Sequence, residues 1–222
     1  MGLLDFVFPK NCLECGIWGK YLCANCVAKI PSPKPICPYC RHPSIDGATH
    51  TNCQKKLGID GLTSIWKYEG IVRKAILTLK YKYTTEVTGE LSDYIICSLK
   101  NSILPPVQYL TPIPLYWYRQ NTRGFNQSVE IGKCIAGGLG WKFILDLLIK
   151  KRATASQAEL GGEARRKNLR GVFAVNPKYI FDIPYSVLLF DDVFTTGSTI
   201  FEAAKVLKRS GVKKVWGLTI AK

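Results

Sequence analysis

Hydrophobic and polar positions along residues 59–222 change repeatedly between two periods. Consecutive apolar residues, as at 187–190, are typical of a buried strand, whereas the apolar residues of 71–80 recur at helical spacing. The pattern predicts strands at 62–68, 107–110, 141–148, 187–190 and 215–220, and helices at 71–80, 86–101, 125–138 and up to about 210. Strands that alternate with helices predict an α/β fold on a doubly wound, mainly parallel sheet, which binds ligands at the carboxyl ends of its strands.

Residues 1–58 contain too few large apolar residues to build a core of their own. They hold seven of the nine cysteines, in pairs separated by two residues, namely Cys12 and Cys15, Cys23 and Cys26, Cys37 and Cys40, and the mixed pair His50 and Cys53. Four such pairs make two tetrahedral sites of the kind that Zn²⁺ favours, and the metal would supply most of the folding free energy. The sequence therefore predicts a double zinc ribbon at 1–58 and a larger domain at 59–222.

Two groupings of these ligand pairs are open. A sequential grouping joins the first pair to the second and the third to the fourth, whereas a crossed grouping joins the first to the third. The short spacing and an intracellular context disfavour disulfides. His42 is a fallback for His50, although it lies only two residues after Cys40. Cys97 and Cys134 fall in apolar helical patterns, which predicts buried core thiols.

Residues 187–199 carry the most specific chemical signal of the chain. Asp191 and Asp192 follow the predicted strand and offer acceptors suited to a diol. The next residues combine hydroxyl donors, a glycine that lets the backbone approach an anion, and the start of a helix. These loop residues are Thr195, Thr196, Gly197, Ser198 and Thr199. A diol site beside a phosphate cup predicts a ribose 5-phosphate site.

Two other interpretations of this segment are weaker. A buried strand, a tight turn and a helix capped by Ser198 or Thr199 explain the order of elements but not the two adjacent aspartates. A P-loop requires Gly-x-x-x-x-Gly-Lys-Ser/Thr. Here Gly132-Lys133 is followed by Cys134, and glutamine stands at position 127, so the P-loop interpretation fails.

The segment 187–199 resembles the signature of the type I phosphoribosyltransferases at all thirteen positions. The resemblance implies binding of 5-phosphoribosyl 1-diphosphate (PRPP), with the aspartates on the ribose hydroxyls, the Thr-Thr-Gly-Ser-Thr loop on the 5-phosphate, and Mg²⁺ on the diphosphate. Two further loops are expected to face the same crevice. Arg119 and Arg123 in the loop 111–128 are candidates to bind a diphosphate bidentately, or else they lie in solvent. The basic loop 150–171 has the composition of a hinged lid.

Charge and hydropathy narrow the class of partner. The formal net charge of +15 predicts a polyanionic partner, and nucleic acid is the usual one. No apolar run approaches the roughly 20 residues that a membrane span requires. Because the first residues show neither a basic region nor an apolar signal core, a cytoplasmic location is expected.

Several motifs together resemble the ComF/GntX family over nearly the whole chain. They are the zinc knuckles, Tyr68-Glu69-Gly70, Leu79-Lys80-Tyr81, the stretch 123–128, Arg152-x-Thr154-x-x-Gln157 and the signature 187–199. His50 departs from the family, which usually carries cysteine there. The resemblance implies PRPP binding and a role in bacterial competence. Two classes stay open: a DNA-processing factor that binds PRPP and contacts single-stranded DNA or other competence proteins, and a phosphoribosyltransferase with an unidentified acceptor.

Overall fold

The structure is a computed structural model that describes residues 10–81, 85–107, 109–114, 126–151 and 171–222. Within these ranges the chain forms seven strands and five α-helices. The strands are β1 (Gly61–Trp66), β2 (Tyr109–Pro112), β3 (Lys142–Phe143), β4 (Leu148–Lys150), β5 (Phe173–Val175), β6 (Ser186–Val193) and β7 (Lys214–Ala221). The helices are α1 (Ala24–Ala28), α2 (Gly70–Tyr81), α3 (Thr85–Lys100), α4 (Gln127–Leu139) and α5 (Ser198–Arg209).

Five of the described strands form one sheet in the order β1-β7-β6-β2-β3, and every neighbouring pair is parallel. Parallel neighbours require long crossover connections, and the helices supply them. The predicted mainly parallel sheet is therefore confirmed. The ends of β1, β2, β6 and β7, at Trp66, Pro112, Val193 and Ala221, meet along one side of the sheet, here named the carboxyl edge.

Successive residues of β6 face opposite sides of the sheet and build two cores. Leu188 and Phe190 pack into a core shared with α2, α3 and α4. Val187 and Leu189 pack into a second core shared with α5. All four side chains are fully buried, which explains why the whole stretch reads as apolar in the sequence. Helices cover both faces, as a doubly wound sheet requires.

The prediction of a single strand at 141–148 is wrong. Lys142–Phe143 joins the main sheet as β3, whereas Leu148–Lys150 pairs antiparallel with β5 in a separate two-stranded sheet. β2 also begins two residues later than predicted and continues to Pro112. The apolar run at 141–148 therefore serves two different sheets, a division that periodicity alone does not reveal.

The prediction that Cys97 and Cys134 are buried core thiols is wrong as well, since both are exposed. The inner side of α3 is a stripe at four-residue spacing, formed by Val87, Leu91, Ile95 and Leu99. Cys97 lies two residues after Ile95 and so faces outward. On α4, Ile135 is buried and the preceding Cys134 lies outside the stripe.

The cysteine-rich segment is held against both cores. Leu22 and Val27 join the core of α2 and α3. The Leu22 amide donates to Glu90 Oε2 at 2.7 Å, and the Tyr94 hydroxyl donates to the Leu22 carbonyl at 3.3 Å. Tyr39 packs instead on the core of α5.

The domain boundary near residue 58 stays a prediction. Among the described helices, none combines the length and the apolarity that crossing a membrane takes.

Candidate functional site

The signature segment lies at the carboxyl edge, where β6 ends and α5 begins. Asp191 and Asp192 lie near the end of β6, which pairs with β7. In that pairing Asp191 is opposite Thr219. Each carboxylate accepts a hydrogen bond from the next backbone amide, at 2.9 Å for Asp191 and 2.7 Å for Asp192. The aspartates therefore lie at the carboxyl edge, immediately before the hydroxyl-rich loop in the chain.

Gly197 shapes the turn between β6 and α5. It is the N-cap of α5 and has a left-handed backbone with φ of 79°, so neither Ser198 nor Thr199 caps the helix as the alternative interpretation proposed. A Cβ atom at this position would lie 2.7 Å from the rings of both Phe194 and Phe201. Glycine is required here for its backbone and for its lack of a side chain.

The hydroxyl groups of the loop are close to one another. Thr196 Oγ1 and Ser198 Oγ lie 2.8 Å apart, and the Ser198 amide lies 3.4 Å from Thr196 Oγ1. Thr195 and Thr196 are exposed, whereas Gly197 and Ser198 are buried. Side-chain hydroxyls and the first turn of α5 therefore face the same small region, the arrangement that binds phosphate oxygens.

Lys80, in the last turn of α2, joins the acidic pair from a different element. Its Nζ lies 2.6 Å from Asp192 Oδ2. Burial, and then the charge of Asp192, raises the pKa of Asp191 to about 8. Burial by itself would lower the pKa of Lys80, but the charges of Asp192 and Asp191 outweigh it and the pKa is raised. Two adjacent negative charges are therefore disfavoured here, and Lys80 pairs with Asp192.

The carboxyl edge collects further positive charge from distant parts of the sequence. Arg41 of the cysteine-rich segment donates from Nη2 to the Thr195 carbonyl at 2.9 Å. Lys222 follows β7, and its Nζ donates to the Lys34 carbonyl at 2.8 Å. The pKa of Lys222 is lowered, first by burial and then by the positive charge of Arg41. An anion bound at this edge would relieve that repulsion.

Sequence reasoning did not assign Lys80, Arg41 or Lys222 to this site. In the sequence, Lys80 is noted only as part of the Leu79-Lys80-Tyr81 family motif. The feature that could have identified it is a lysine directly after the buried Leu79, at the end of an apolar helix. Arg41 directly follows Cys40, and its signal is a cation at the tip of a knuckle. Neither signal names a partner, because each contact spans more than 100 residues.

The loop after β2 is only partly described. Asn126 caps α4 by accepting from the Ser128 amide at 3.0 Å and donates to the Ile113 carbonyl at 3.3 Å. Gln127 donates to the Leu79 carbonyl at 3.1 Å, which ties α4 to the end of α2 beside Lys80. The candidate diphosphate residues Arg119 and Arg123 lie outside the described residues, as do residues 152–170 of the candidate lid at 150–171.

The first cysteine cluster has the dimensions of a zinc site. Its four sulfur atoms lie within 4.8 Å of one another, from Cys12, Cys15, Cys23 and Cys26. The Cys12–Cys23 and Cys15–Cys23 sulfurs are 3.6 and 3.7 Å apart. Tetrahedral Zn–S bonds of about 2.3 Å place sulfur atoms about 3.8 Å apart, so these residues fit the ion.

The second cluster has three sulfurs and one imidazole. Its ligand atoms also lie within 4.8 Å of one another, from Cys37, Cys40, His50 and Cys53. His50 Nδ1 lies 3.3 Å from Cys40 Sγ, while Nε2 lies 3.0 Å from the Pro43 carbonyl. A hydrogen bond from Nε2–H to that carbonyl leaves Nδ1 for a metal. The structure thus groups the ligands sequentially, and the fallback residue His42 is not among them.

Backbone amides favour the thiolate form of one cysteine in each cluster. Burial alone would raise the pKa of Cys12, but amide donors from its own loop lower it to about 6. The same balance lowers the pKa of Cys37 to about 7. The thiolate is the metal-binding form of cysteine, so Cys12 and Cys37 each favour a cation at their cluster.

Strand order and ligand grouping define an α/β protein with a doubly wound, mainly parallel sheet and an N-terminal double zinc ribbon. Residues 3–54 match the family model described as a double zinc ribbon domain. Competence protein F of Haemophilus influenzae is 30% identical to this chain, in an alignment that covers 96% of this chain and 98% of that protein. The chain belongs to the ComF family.

Other relatives match over most of their length. DNA utilization protein YhgH of Escherichia coli (strain K12) is 28% identical over 219 residues, 93% of this chain and 92% of that protein. Competence protein ComFC of Bacillus subtilis (strain 168) is 23% identical over 204 residues, 86% of this chain and 79% of that protein.

Solved phosphoribosyltransferase structures match part of the chain. Glutamine PRPP amidotransferase from B. subtilis, complexed with ADP and GMP, matches with a TM-score of 0.41 and 15% identity over 64% of this chain and 30% of that one. Adenine phosphoribosyltransferase from Trypanosoma brucei matches with a TM-score of 0.34 and 19% identity over 60% of this chain and 52% of that one. The fold assignment rests on the strand order and register given above.

Proposed function

We propose that this protein binds PRPP or ribose 5-phosphate at the carboxyl edge and takes part in DNA uptake or processing during natural transformation. One observation carries the ligand assignment. Asp191 and Asp192 lie near the end of β6 and the hydroxyl loop that follows opens α5, so diol acceptors and phosphate donors adjoin one another at one edge of the sheet. The names of the relatives support the role in competence.

Each part of the site has a distinct task in this proposal. Asp191 and Asp192 accept hydrogen bonds from the ribose hydroxyls. The 5-phosphate is held by the loop, through Thr195, Thr196, Gly197, Ser198 and Thr199. Lys80 sets the protonation of the acidic pair, and its contact with Asp192 at 2.6 Å must loosen when a diol enters. A Mg²⁺ ion that accompanies PRPP would neutralise the diphosphate.

The two cysteine clusters are proposed to hold one structural zinc ion each. Four protein ligands close each tetrahedral shell and leave no position for a substrate, as in structural zinc sites. The ligand sets are Cys12, Cys15, Cys23 and Cys26 in one, and Cys37, Cys40, His50 and Cys53 in the other. Thiolate ligands persist in a reducing compartment, which supports action in the cytoplasm.

Single-stranded DNA is the proposed polyanionic partner. The net charge of +15 supplies nonspecific attraction. At the opposite end of the sheet from the site, Tyr185 is 67% exposed and borders a cavity of about 310 Å³. Its carbonyl accepts from the amides of Lys213 and Lys214, whose side chains are exposed. An aromatic side chain flanked by lysines suits a stacked base and its phosphates.

Calorimetric titration with PRPP or ribose 5-phosphate, in the presence of Mg²⁺, tests the ligand assignment. The double variant Asp191→Asn with Asp192→Asn should lose at least about tenfold in affinity, since one lost charged hydrogen bond alone costs about 1.5–3 kcal/mol. Asp93→Asn with Asp182→Asn makes the same two substitutions at exposed positions and should bind as the wild type does. Equal affinity of the two double variants would sink the ribose assignment.

The alternative function is a phosphoribosyltransferase with an unidentified acceptor. Such a reaction needs little from the protein beyond positioning and charge stabilisation, which the same residues could supply. The two functions differ in one measurement. Steady release of diphosphate with a defined acceptor, abolished in the double aspartate variant, would establish the transferase.

A further inference from the structure

The second cysteine cluster touches the sugar-phosphate loop through Arg41. Its Nη2 donates to the Thr195 carbonyl at 2.9 Å, and its Cζ lies 4.3 Å from the centroid of the Phe194 ring. Both partners belong to the turn between β6 and α5. A guanidinium that caps a carbonyl and lies over an aromatic ring fixes two neighbouring residues at once.

Tyr39 makes a second contact from the same knuckle. Its ring stacks on Phe201 with centroids 4.7 Å apart and planes 9° apart. Phe201 in turn meets Phe194 edge-on, with centroids 6.1 Å apart. Gly197 lies against both phenylalanine rings. Arg41 and Tyr39, which lie next to ligands of the second cluster, therefore pack against the phosphate loop.

The contact orients a peptide group of the loop. In a planar trans peptide the carbonyl oxygen and the following amide hydrogen point in opposite directions. Because Arg41 holds the Thr195 carbonyl toward the ribbon, the Thr196 amide must point away from the ribbon. For a phosphate group bound on that side of the loop, this amide would be a donor.

The position of Arg41 depends on the second cluster. Its amide donates to the Cys37 carbonyl at 3.0 Å, and its φ of 67° is left-handed. A residue other than glycine keeps such a conformation only where its surroundings impose it. Here the knuckle imposes it, since Arg41 directly follows Cys40, one of the four ligands.

The first cluster has no comparable contact with the loop among the described residues. It is fastened to α3 instead, where Glu90 accepts from the amides of Tyr21 and Leu22 at 3.3 and 2.7 Å. Lys10 also pairs with Glu86 at 2.6 Å. Among these contacts, only the second cluster is linked to the phosphate loop, so the first cluster can serve as a control for it.

We propose that Arg41 and Tyr39 are positioning residues of the sugar-phosphate site, so that filling the second cluster with metal sets the affinity for the phosphate group. This inference rests on the proposed function. It extends the site beyond the signature and couples it to one of the two metals. Loss of metal from the second cluster releases Arg41, the Thr195 carbonyl loses this donor, and phosphate binding weakens.

The first experiment measures ribose 5-phosphate affinity by calorimetry for the wild type and three variants. Arg41→Ala should weaken binding about tenfold, the effect of one charged hydrogen bond. Arg41→Lys keeps the positive charge but lacks the planar guanidinium, so its affinity should lie between those of Arg41→Ala and the wild type. Lys20→Ala, an exposed cation of the first ribbon, should match the wild type. Zinc content should stay unchanged in Arg41→Ala, which separates positioning from loss of the metal.

The second experiment compares the two clusters. Cys40→Ser should reduce affinity at least as far as Arg41→Ala does, and adding Arg41→Ala to Cys40→Ser should weaken binding no further. Cys15→Ser should lose one zinc and keep its affinity. Equal losses in Cys15→Ser and Cys40→Ser would overturn the specific coupling.

A third measurement decides the loop contact without any ligand. Hydrogen–deuterium exchange in a peptide covering 194–201 should be faster in Arg41→Ala than in Lys20→Ala. Unchanged exchange overturns the inference. If the wild type binds and Arg41→Ala binds equally well, the inference falls and the proposed function stands. If the wild type binds neither ribose 5-phosphate nor PRPP, the proposed function falls and takes the affinity coupling with it.

Discussion

Lys80 and Asp192 form an ion pair of 2.6 Å between the end of α2 and the end of β6. The two residues are 112 positions apart in sequence, and they lie at the point where α2 reaches the carboxyl edge. The pair balances the charge of Asp192, while burial and that charge raise the pKa of the neighbouring Asp191. The acidic site is thus balanced by a residue that belongs to neither the signature nor the ribbon.

Removing Lys80 should destabilise the fold. Lys80→Ala leaves the Asp192 charge partly buried without a partner, and we expect a loss of about 1–3 kcal/mol in the free energy of unfolding. Urea denaturation at neutral pH measures it. Lys74→Ala breaks the more exposed pair with Glu14 and should cost no more than about 1 kcal/mol. Adding Asp192→Asn to Lys80→Ala should restore part of the stability, and a further loss would contradict the account.

The raised pKa of Asp191 predicts a pH-dependent stability. Between the ordinary value of 3.8 and about 8, the unfolded chain has released this proton while the folded protein keeps it. The free energy of unfolding therefore falls as pH rises through that window. Asp191→Asn carries no such proton, so urea denaturation at about pH 5 and about pH 8 should show the variant gaining relative to the wild type. Parallel profiles would refute the shift, and Asp93→Asn serves as the control.

Gly197 should tolerate no side chain. Gly197→Ala puts a Cβ atom 2.7 Å from two aromatic rings at a left-handed backbone position, and we expect a loss of about 1–3 kcal/mol in stability together with loss of ribose 5-phosphate binding. Gly137→Ala is the matched control, because nothing lies within 4 Å of its added Cβ atom. That control should be neutral or more stable by up to about 1 kcal/mol. Thermal denaturation and calorimetry measure both effects.

Local patterns predicted the parts of the site that lie together in sequence. Three local patterns were sufficient: the apolar run before Asp191, the glycine after Thr196 and the spacing of the paired cysteines. Each predicts its local structure because the residues involved are neighbours in the sequence.

The contacts that complete the site are nonlocal, and periodicity does not encode them. Arg41 meets Thr195 across 154 positions, and a single exposed arginine in a knuckle looks like any solvated cation. The single strand predicted at 141–148 is wrong for a related reason. Its apolar residues satisfy two sheets, and only the tertiary arrangement separates them.

The metal content should distinguish the two histidines of the chain. His50→Ala removes one of four ligands from the second cluster and should lower zinc from two ions per chain to one. His42→Ala should keep two, because its ring is not among the grouped ligand atoms. Elemental analysis of the purified protein counts the ions. Two zinc ions in His50→Ala would exclude the Cys₃His site.

Binding of single-stranded DNA should separate charge from stacking. Wild-type affinity should fall by about tenfold or more between roughly 50 and 200 mM salt, because bound phosphates release counterions. Lys213→Ala with Lys214→Ala should flatten that salt dependence. Tyr185→Ala should weaken binding by about 1–3 kcal/mol with the same salt slope, since stacking releases no ions. Fluorescence anisotropy with a labelled oligonucleotide measures both. If the lysine and tyrosine variants both bind as the wild type does, the DNA-binding surface lies elsewhere on the protein.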